Sequence, residues 1–501
     1  MSNRATASAS LLDQILVATQ EAEAARTTRL AAFLAERSTA VALVSWLGLR
    51  AGDAVPRREE ITARLTIDRA AVDHRLSSQL NAILHAPEFQ RLEASWRGIE
   101  YLVGQASHAE GVLIRIFDVA WRVLARDLDK AIEFDQSVLF RRVYNDEFGM
   151  PGGRPFGVLL GDYYLGHRPR PDQQVDDVRA LRAVLQVAAA SFAPFIASTH
   201  PSLFGVDSFR ELGRRIDLHR VFAQSEYIAW NSLRDHEDSR FLALTLPRIL
   251  MRRPWRPDPQ RSDGFPFRED VSGQSGRGYL WGNACFAFGG VLIRAFARCG
   301  WFGDIRGVEE GQEGGGLVTD LPNLDFEDQA RGGGHRPPTE VVITDAQERT
   351  LSDLGFISLC ACHGTPWAAF YATPSLQRPQ RYDDAAAAAN ARLSAMLQYI
   401  LCTARIAHYL KVMCRDRAGS YDSPAQIEHS ISKWLFDLSV SSDDADAEAQ
   451  AKYPLADTSV SVHEVPGKPG TYASVIHLRP HFQLDQMSSS IRLTTEIVAT
   501  K

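Results

Sequence analysis

The sequence predicts a multi-domain, mixed α/β protein with a helical N-terminal leader and a C-terminal β region. Three observations carry that expectation. Helical patterning rich in Ala, Glu and Arg dominates the chain as far as Val103. From Gly111 onward, short apolar runs alternate with helical stretches, the texture of an α/β layer. After the acidic stretch at 441–452 (SSDDADAEAQAK), alternating sequences flank turn residues, as in hairpins. The division expected is a leader over 1–66, main domains over 67–380 and a C-terminal domain over 381–501.

Residues 1–9 are small and polar. Ser10 suits the cap of a helix through Leu11, Leu12, Ile15 and Leu16. A break is expected at 48–56 (GLRAGDAVP), with helix resuming near Ile67 and reaching Leu84. The segment 89–103, FQRLEASWRGIEYLV, is amphipathic, and Pro87 fits its first turn. Phe89, Leu92, Trp96, Ile99, Leu102 and Val103 form its expected buried stripe. GVLIRIF (111–117) and FGVLLGDYYL (156–165) read as strands, the first of them buried. Residues 178–198 read as an Ala-rich helix ending near Pro194. FLALTLPRILMR (241–252) leads into a proline-rich loop, and 280–301 holds a helix between Gly- and Pro-rich loops at 254–278 and 311–338. EVVITDAQERTLSDLGFISL (340–359) reads as strand, helix, strand. Asp383 and Asp384 precede one long helix over 385–415, where acidic residues suit the positive end of its dipole. SVSVHEV, TYASVIHL and IRLTTEI supply the C-terminal strands.

Composition excludes several classes. The 501 residues are 45% hydrophobic and 23% charged, with a net charge of −6, so no basic field points to nucleic acid. The most apolar run, Thr39 to Leu49, is too short to span a membrane, and no signal-peptide pattern opens the chain. Six scattered cysteines fit a reducing compartment, hence the cytoplasm. Cys360-Ala-Cys362-His363 lacks the second close pair of a zinc site. GQEGGG (311–316) and RGGGH (331–335) lack the Lys-Ser/Thr of a phosphate loop, and the sequence around Ser275 misses the nucleophile-elbow spacing. His167, His236, His363 and His408 are dispersed, and His408 reads as a hydrogen-bonded structural histidine. Glu237-Asp238 and Glu309-Glu310 read as solvated charges or partners of Arg234, Arg240 and Arg306. No catalytic residue, metal or cofactor is expected.

The 89–103 string resembles the signature helix of the large subunit of the type VI secretion contractile sheath (TssC/VipB-like proteins). Further strings are similar in the same order: 230–255 (WNSLRDHEDSRFLALTLPRILMRRPW), FPFRED at 265–270, YLWGNACFAF at 279–288, GWFGDIRGVEEG at 300–311, DLP at 320–322, 338–359, RIAHYLKVMCRD at 405–416 and RPHFQLDQ at 479–486. They cover the chain from about Ile67 to its end. The resemblance implies a structural protein of a multi-domain contractile-sheath fold, not an enzyme. It implies pairing with a small sheath subunit, with other copies in a helical polymer around an inner tube protein, on a baseplate in the bacterial cytoplasm. Contraction would deliver toxic cargo without bound nucleotide, and an AAA+ unfoldase would dismantle the contracted form.

By the same resemblance, Leu11, Leu12, Ile15 and Leu16 form the face the unfoldase recognises. Ile491 and Leu493 belong to a terminal strand that links neighbouring subunits; an internal strand of the same domain is the alternative. Phe89, Leu92, Trp96, Arg97 and Gly98 are signature residues with a structural role. The stretch Leu30 to Leu49 is more apolar than the family's leader. That leaves an accessory or capping paralogue, binding the small subunit or baseplate without forming tubes, as the second reading. A cytoplasmic enzyme with an unrecognised site is the third.

Overall fold

The computed structural model describes residues 33–49, 57–107, 109–258, 260, 264–272, 278–308, 314–323, 337–363, 365–416, 424–440, 447–464, 471–481 and 491–498. The chain divides into two compact units, Met1–Ser78 and Gln79–Lys501.

In the first unit, α1 (Thr39–Leu47) ends where Gly48 turns left-handed with φ 68°. α2 (Arg58–Leu84), most of which belongs to this unit and whose last residues fall beyond Ser78, begins earlier than the apolar spacing suggests. Glu59 and Glu60 in its first turn complement the helix dipole, so charge rather than periodicity marks its start. The Trp46 Nε1–H donates to Asp68 at 3.0 Å, and the Phe33 ring lies 5.0 Å from the indole. The indole hydrogen bond ties α1 to α2, and the ring contact ties α1 to the segment before it.

The second unit contains α3 (Pro87–Ala106), α4 (Trp121–Lys130), α5 (Asp177–Ser191), α6 (Ala284–Cys299), α7 (Asp345–Asp353), α8 (Ala385–Ser394), α9 (Leu397–Asp416) and α10 (Pro424–Phe436). Its strands are β1 (Leu159–Leu165), β2 (Phe195–Thr199), β3 (Leu242–Leu246), β4 (Ile249–Leu250), β5 (Trp281–Gly282), β6 (Leu317–Val318), β7 (Phe356–Ala361) and β8 (Ala368–Phe370), followed by β9 (Leu455–Glu464), β10 (Thr471–Pro480) and β11 (Ile491–Val498). A six-stranded sheet runs in the order β1-β2-β3-β7-β8-β6. Its first four strands are parallel and its last two pairings antiparallel.

The middle strands are apolar at successive positions because both faces of the sheet are covered. Phe195, Ala197, Leu242, Leu244, Leu246 and Phe356 pack toward α4 and α5. Ile196, Ala243, Ile357 and Leu359, one position out of phase, pack toward α6. Asn283 locks the two layers. Its Oδ1 accepts from the Cys285 N–H at the start of α6 and from the Ser198 hydroxyl on β2, and its Nδ2 donates to the Tyr163 carbonyl on β1. A third core gathers α9, α10 and the sheet β11-β10-β9, with Ile406, Leu410, Leu435, Leu455 and Ile476 fully or almost fully buried.

α3 approaches α6 at glycines from both sides. A Cβ on Gly98 would sit 2.3 Å from the Phe286 ring. One on Gly289 would meet Leu160 at 2.7 Å and Leu102 at 2.8 Å, and one on Gly290 would meet Tyr101 at 2.7 Å. The inner face of α3 is therefore Ala94, Gly98 and Leu102. This corrects the expected stripe: Phe89, Leu92, Trp96 and Val103 are exposed, and only Leu102 of the six is buried. Small residues let the helices come close, whereas hydropathy alone picks out the large ones.

Other expectations also change. The 111–117 run forms no strand and is largely exposed, not a buried strand. The 340–343 segment forms no strand; Thr339 makes an isolated bridge to Ile249. The helix over 178–198 stops at Ser191, Phe192 takes φ 50°, and β2 follows at once. The long C-terminal helix is two helices, the first capped by the Asp384 carboxylate and separated from the second at Ala395 and Met396.

His408 on α9 is buried, and its Nε2–H donates to the Ser191 carbonyl at 2.8 Å, at the end of α5. Burial pushes its pKa down to about 4, helped by the cations Arg405 and Lys411 and opposed by the Ser191 bond. His200 is likewise pushed to about 4, chiefly by burial.

Two outcomes follow from this packing. Gly98→Ala should cost about 1–3 kcal/mol, because the Phe286 ring has to yield to the new methyl. An unchanged urea midpoint would show that the helices have slack. The depressed histidines stabilise the fold above pH ~6.5, where folded and unfolded forms are both neutral. As pH falls toward 4 the unfolded chain takes up protons first, and that stability is lost. His408→Gln keeps a donor without the titration and should flatten the urea-midpoint slope between pH 6.5 and 4, by at most ~3 kcal/mol over the window. Identical slopes would remove His408 from the acid response.

Candidate assembly surface

The described residues converge on no reaction centre. No group of three or more His, Cys, Asp or Glu among them could hold a metal ion. Burial pushes the Cys360 and Cys402 thiols up to about 12 and raises Cys285 and Cys362, so none is poised as a thiolate. His167 lies buried, stacked on the Tyr227 ring at 4.2 Å, and burial lowers its pKa. Arg234 does not serve Glu237 or Asp238. It is buried, donates to the carbonyls of Leu376 and Asp353, and is pushed down to about 10 by burial. Arg240 donates to the Glu237 carbonyl.

The buried carboxylates are structural. Asp177, at the start of α5, accepts from the Trp121 indole at 2.8 Å, the Gly166 N–H at 2.8 Å, Gln173 at 2.9 Å and Arg170 at 3.3 Å. Those four donors occupy the acceptor sites a general base would need free. Glu269 accepts a two-pronged fork from Arg252 at 2.5 and 3.1 Å and the Trp255 N–H at 2.9 Å, with His85 at 3.3 Å. Burial would raise the Glu269 carboxyl, but the Arg252 fork and the Trp255 N–H outweigh it and hold the group below its ordinary value. Arg252 also reaches Glu93 on α3 at 2.6 Å, so this cluster pins the signature helix to the loop after β4. Local sequence does not reveal that Trp121 reaches Asp177 or that Glu93 reaches Arg252, because those partners lie far away along the chain.

What the surface does offer is apolar. On the outer face of α3, Leu92 is 57% and Trp96 61% exposed, beside Phe89 and Val103. Arg97, between the faces, pairs with Glu93 at 3.7 Å and Glu100 at 3.1 Å. Gly98 makes the contact with Phe286 described above. Ile491 and Leu493 lie on β11, opposite Leu478 and Ile476 of β10, so β11 completes its own chain's sheet at one edge. Leu11, Leu12, Ile15 and Leu16 lie outside the described residues. No described helix is long and apolar enough to cross a membrane.

Residues 68–377 match the EvpB/VC_A0108 tail sheath N-terminal domain, and residues 386–497 match the EvpB/VC_A0108 tail sheath gpW/gp25-like domain. The type VI secretion system sheath protein TssC1 of Pseudomonas aeruginosa PAO1 is 38% identical over 436 residues, spanning 86% of this chain and 85% of that protein. Two solved structures are also similar. The sheath tail protein of Desulfitobacterium hafniense shows 10% identity and a TM-score of 0.30, over 64% of this chain and 60% of its own length. The contracted helical sheath of the anti-feeding prophage shows 11% identity and a TM-score of 0.26, over 66% of this chain and 65% of its own. Those two scores carry no argument, and the family rests on the two domain matches and on the relative aligned along most of both chains. By that measure the chain belongs to the VipB tail sheath family, as a large sheath protein of the type VI secretion type.

Proposed function

We propose that this chain is the large structural subunit of a type VI contractile sheath. It pairs with a small sheath subunit, and the pairs polymerise as a helical cylinder around an inner tube. The observation that carries this reading is the ordered match of two tail sheath domains to 68–377 and 386–497. The satisfied carboxylates and protonated thiols support a role in lasting contacts rather than turnover. Location in the bacterial cytoplasm and attachment to a baseplate belong to the same reading. Extension stores the energy that contraction releases, so the stroke needs no nucleotide site in this chain.

The C-terminal strand is proposed as the link between neighbouring pairs. β11 hydrogen-bonds to β10 over eight residues, Ile491 to Val498, and residues 481–490 join the two strands. The same register is available to the β11 of a neighbouring copy, an exchange of identical elements. The leader is proposed as the unfoldase ligand, with Leu11, Leu12, Ile15 and Leu16 as one face of a short helix laid in a groove.

Co-expression with the small subunit, followed by negative-stain microscopy, tests the main reading. Long tubes are expected; a discrete complex without tubes would instead identify an accessory or capping paralogue. Truncation after Ser490 should spare the pair and abolish tubes, and normal tubes from that truncation would refute the linking role of Ile491 and Leu493. Leu12→Asp with Ile15→Asp should weaken capture by the unfoldase at least several-fold while tubes still form. Equal capture would end the proposal for the leader.

A further inference from the structure

Between α4 and β1 the chain winds as an eight-residue π-helix, Arg141–Phe148, continuous with a single α turn, Val138–Phe140. The Gly149 N–H closes it by donating to the Tyr144 carbonyl, five residues back, at 2.7 Å. A π-helix longer than one turn is rare, and such windings gather at sites with a task. Here the two ends are held by different parts of the chain.

Phe140 and Val143 are buried in the core with α4 and α5, which fixes the rotational phase of the first turn. Phe148, at the other end, faces α9 of the C-terminal domain. Its ring lies 5.2 Å from the His408 ring, and the Lys411 ammonium sits 3.6 Å from its centre. The same ammonium lies 4.4 Å from the centre of the Tyr144 ring and donates to the Tyr144 hydroxyl at 2.8 Å. Arg415, one turn further along α9, donates to the Met150 carbonyl at 2.7 Å. Glu147, next to Phe148, turns to other partners. It pairs with Arg115 of the exposed 111–117 run and accepts from the Arg154 N–H at 2.9 Å. The Arg154 bond first, and Arg115 with it, hold the Glu147 carboxyl below its ordinary value. Gly152, at φ 79°, and Gly153, where a Cβ would collide with the Glu147 carbonyl, let the chain double back so that Arg154 arrives there.

An α-helix turns by about 100° per residue, and the wider π turn by less. With the first turn anchored in the core, rewinding 141–148 as α would rotate Glu147 and Phe148 together about the helix axis. Phe148 would then leave Lys411, and Glu147 would leave Arg115. One winding keeps both contacts, and the other loses both.

We propose that this π-helix is a coupling element. α9 holds it in the wide winding, and that winding places Glu147 against Arg115, so the docking of the C-terminal domain fixes the 111–117 run. The coupling holds whether or not the chain builds a sheath. It is reciprocal, so each end feels a change made at the other.

Hydrogen exchange on the full chain reads both directions. Lys411→Met keeps an unbranched side chain and removes the ammonium, and it should speed exchange of the Gly149 and Arg154 amides at least five-fold. Lys411→Arg, which keeps a cation over the rings, should leave them at the wild-type rate. Glu147→Ala, whose partners Arg115 and Arg154 lie outside α9, should speed the amides of residues 405–412 at least five-fold. An Arg154 amide unmoved by Lys411→Met, or 405–412 amides unmoved by Glu147→Ala, overturns the proposal. Deleting Asn145, which is exposed, takes out one residue and lets 138–148 close as an ordinary α-helix with Glu147 and Phe148 in their present phase. In that background Lys411→Met should no longer reach the Arg154 amide. An equal effect with and without Asn145 would show that the winding carries nothing, and overturns the proposal as well. The two point-variant readings stand whether or not the deletion folds.

Discussion

The close approach of α3 to α6 is the constraint on which the second unit depends. α6 covers one face of the main sheet, and α3 covers α6. Both contacts work only because Gly98, Gly289 and Gly290 leave room for Phe286, Leu102, Leu160 and Tyr101. Glycine weakens a helix by about 1 kcal/mol at each interior position, so α6, with two adjacent glycines, gains its stability from packing rather than propensity. The Arg252 cluster adds a polar clasp at the other side of α3 through Glu93. A helix held by its small residues is free to present its large ones outward, which is why Trp96 and Leu92 face solvent.

How much of this was legible in the sequence depended on whether the cause was local. β1, α6, α7 and the three C-terminal strands follow from local pattern and lie where that pattern placed them. The Asp384 cap was legible for the same reason, since a side chain two or three residues from its N–H partners is a local event. β2 was not recognised as a strand after α5, because Phe195 to Thr199 continues an apolar run, although Pro194 marked the end of the helix that the left-handed Phe192 closes. The buried face of α3 was misassigned because the decisive fact, a ring of α6 against Gly98, lies far along the chain.

The candidate surface was legible to a smaller degree. Hydrophobicity singled out the 111–117 run as a buried strand, yet it forms no strand in this chain and is largely exposed, because burial depends on what packs against a string and not on the string alone. A run that is core to a complex reads the same as one that is core to a domain. The family strings, by contrast, were legible in full, since they need only the order of residues.

The layering also fixes the order in which the molecule can be taken apart. α3 precedes every strand of the main sheet in the chain, so a force entering from the N-terminal side reaches it before any of those strands. Peeling it away removes the tight seat of Leu102 and Tyr101 on the two glycines and leaves α6 as a weak helix with one face bare. The sheet beneath then loses its cover without any strand having been pulled directly. Detachment of α3 would therefore uncover one side of the sheet while the core under α4 and α5 on the other side stayed closed.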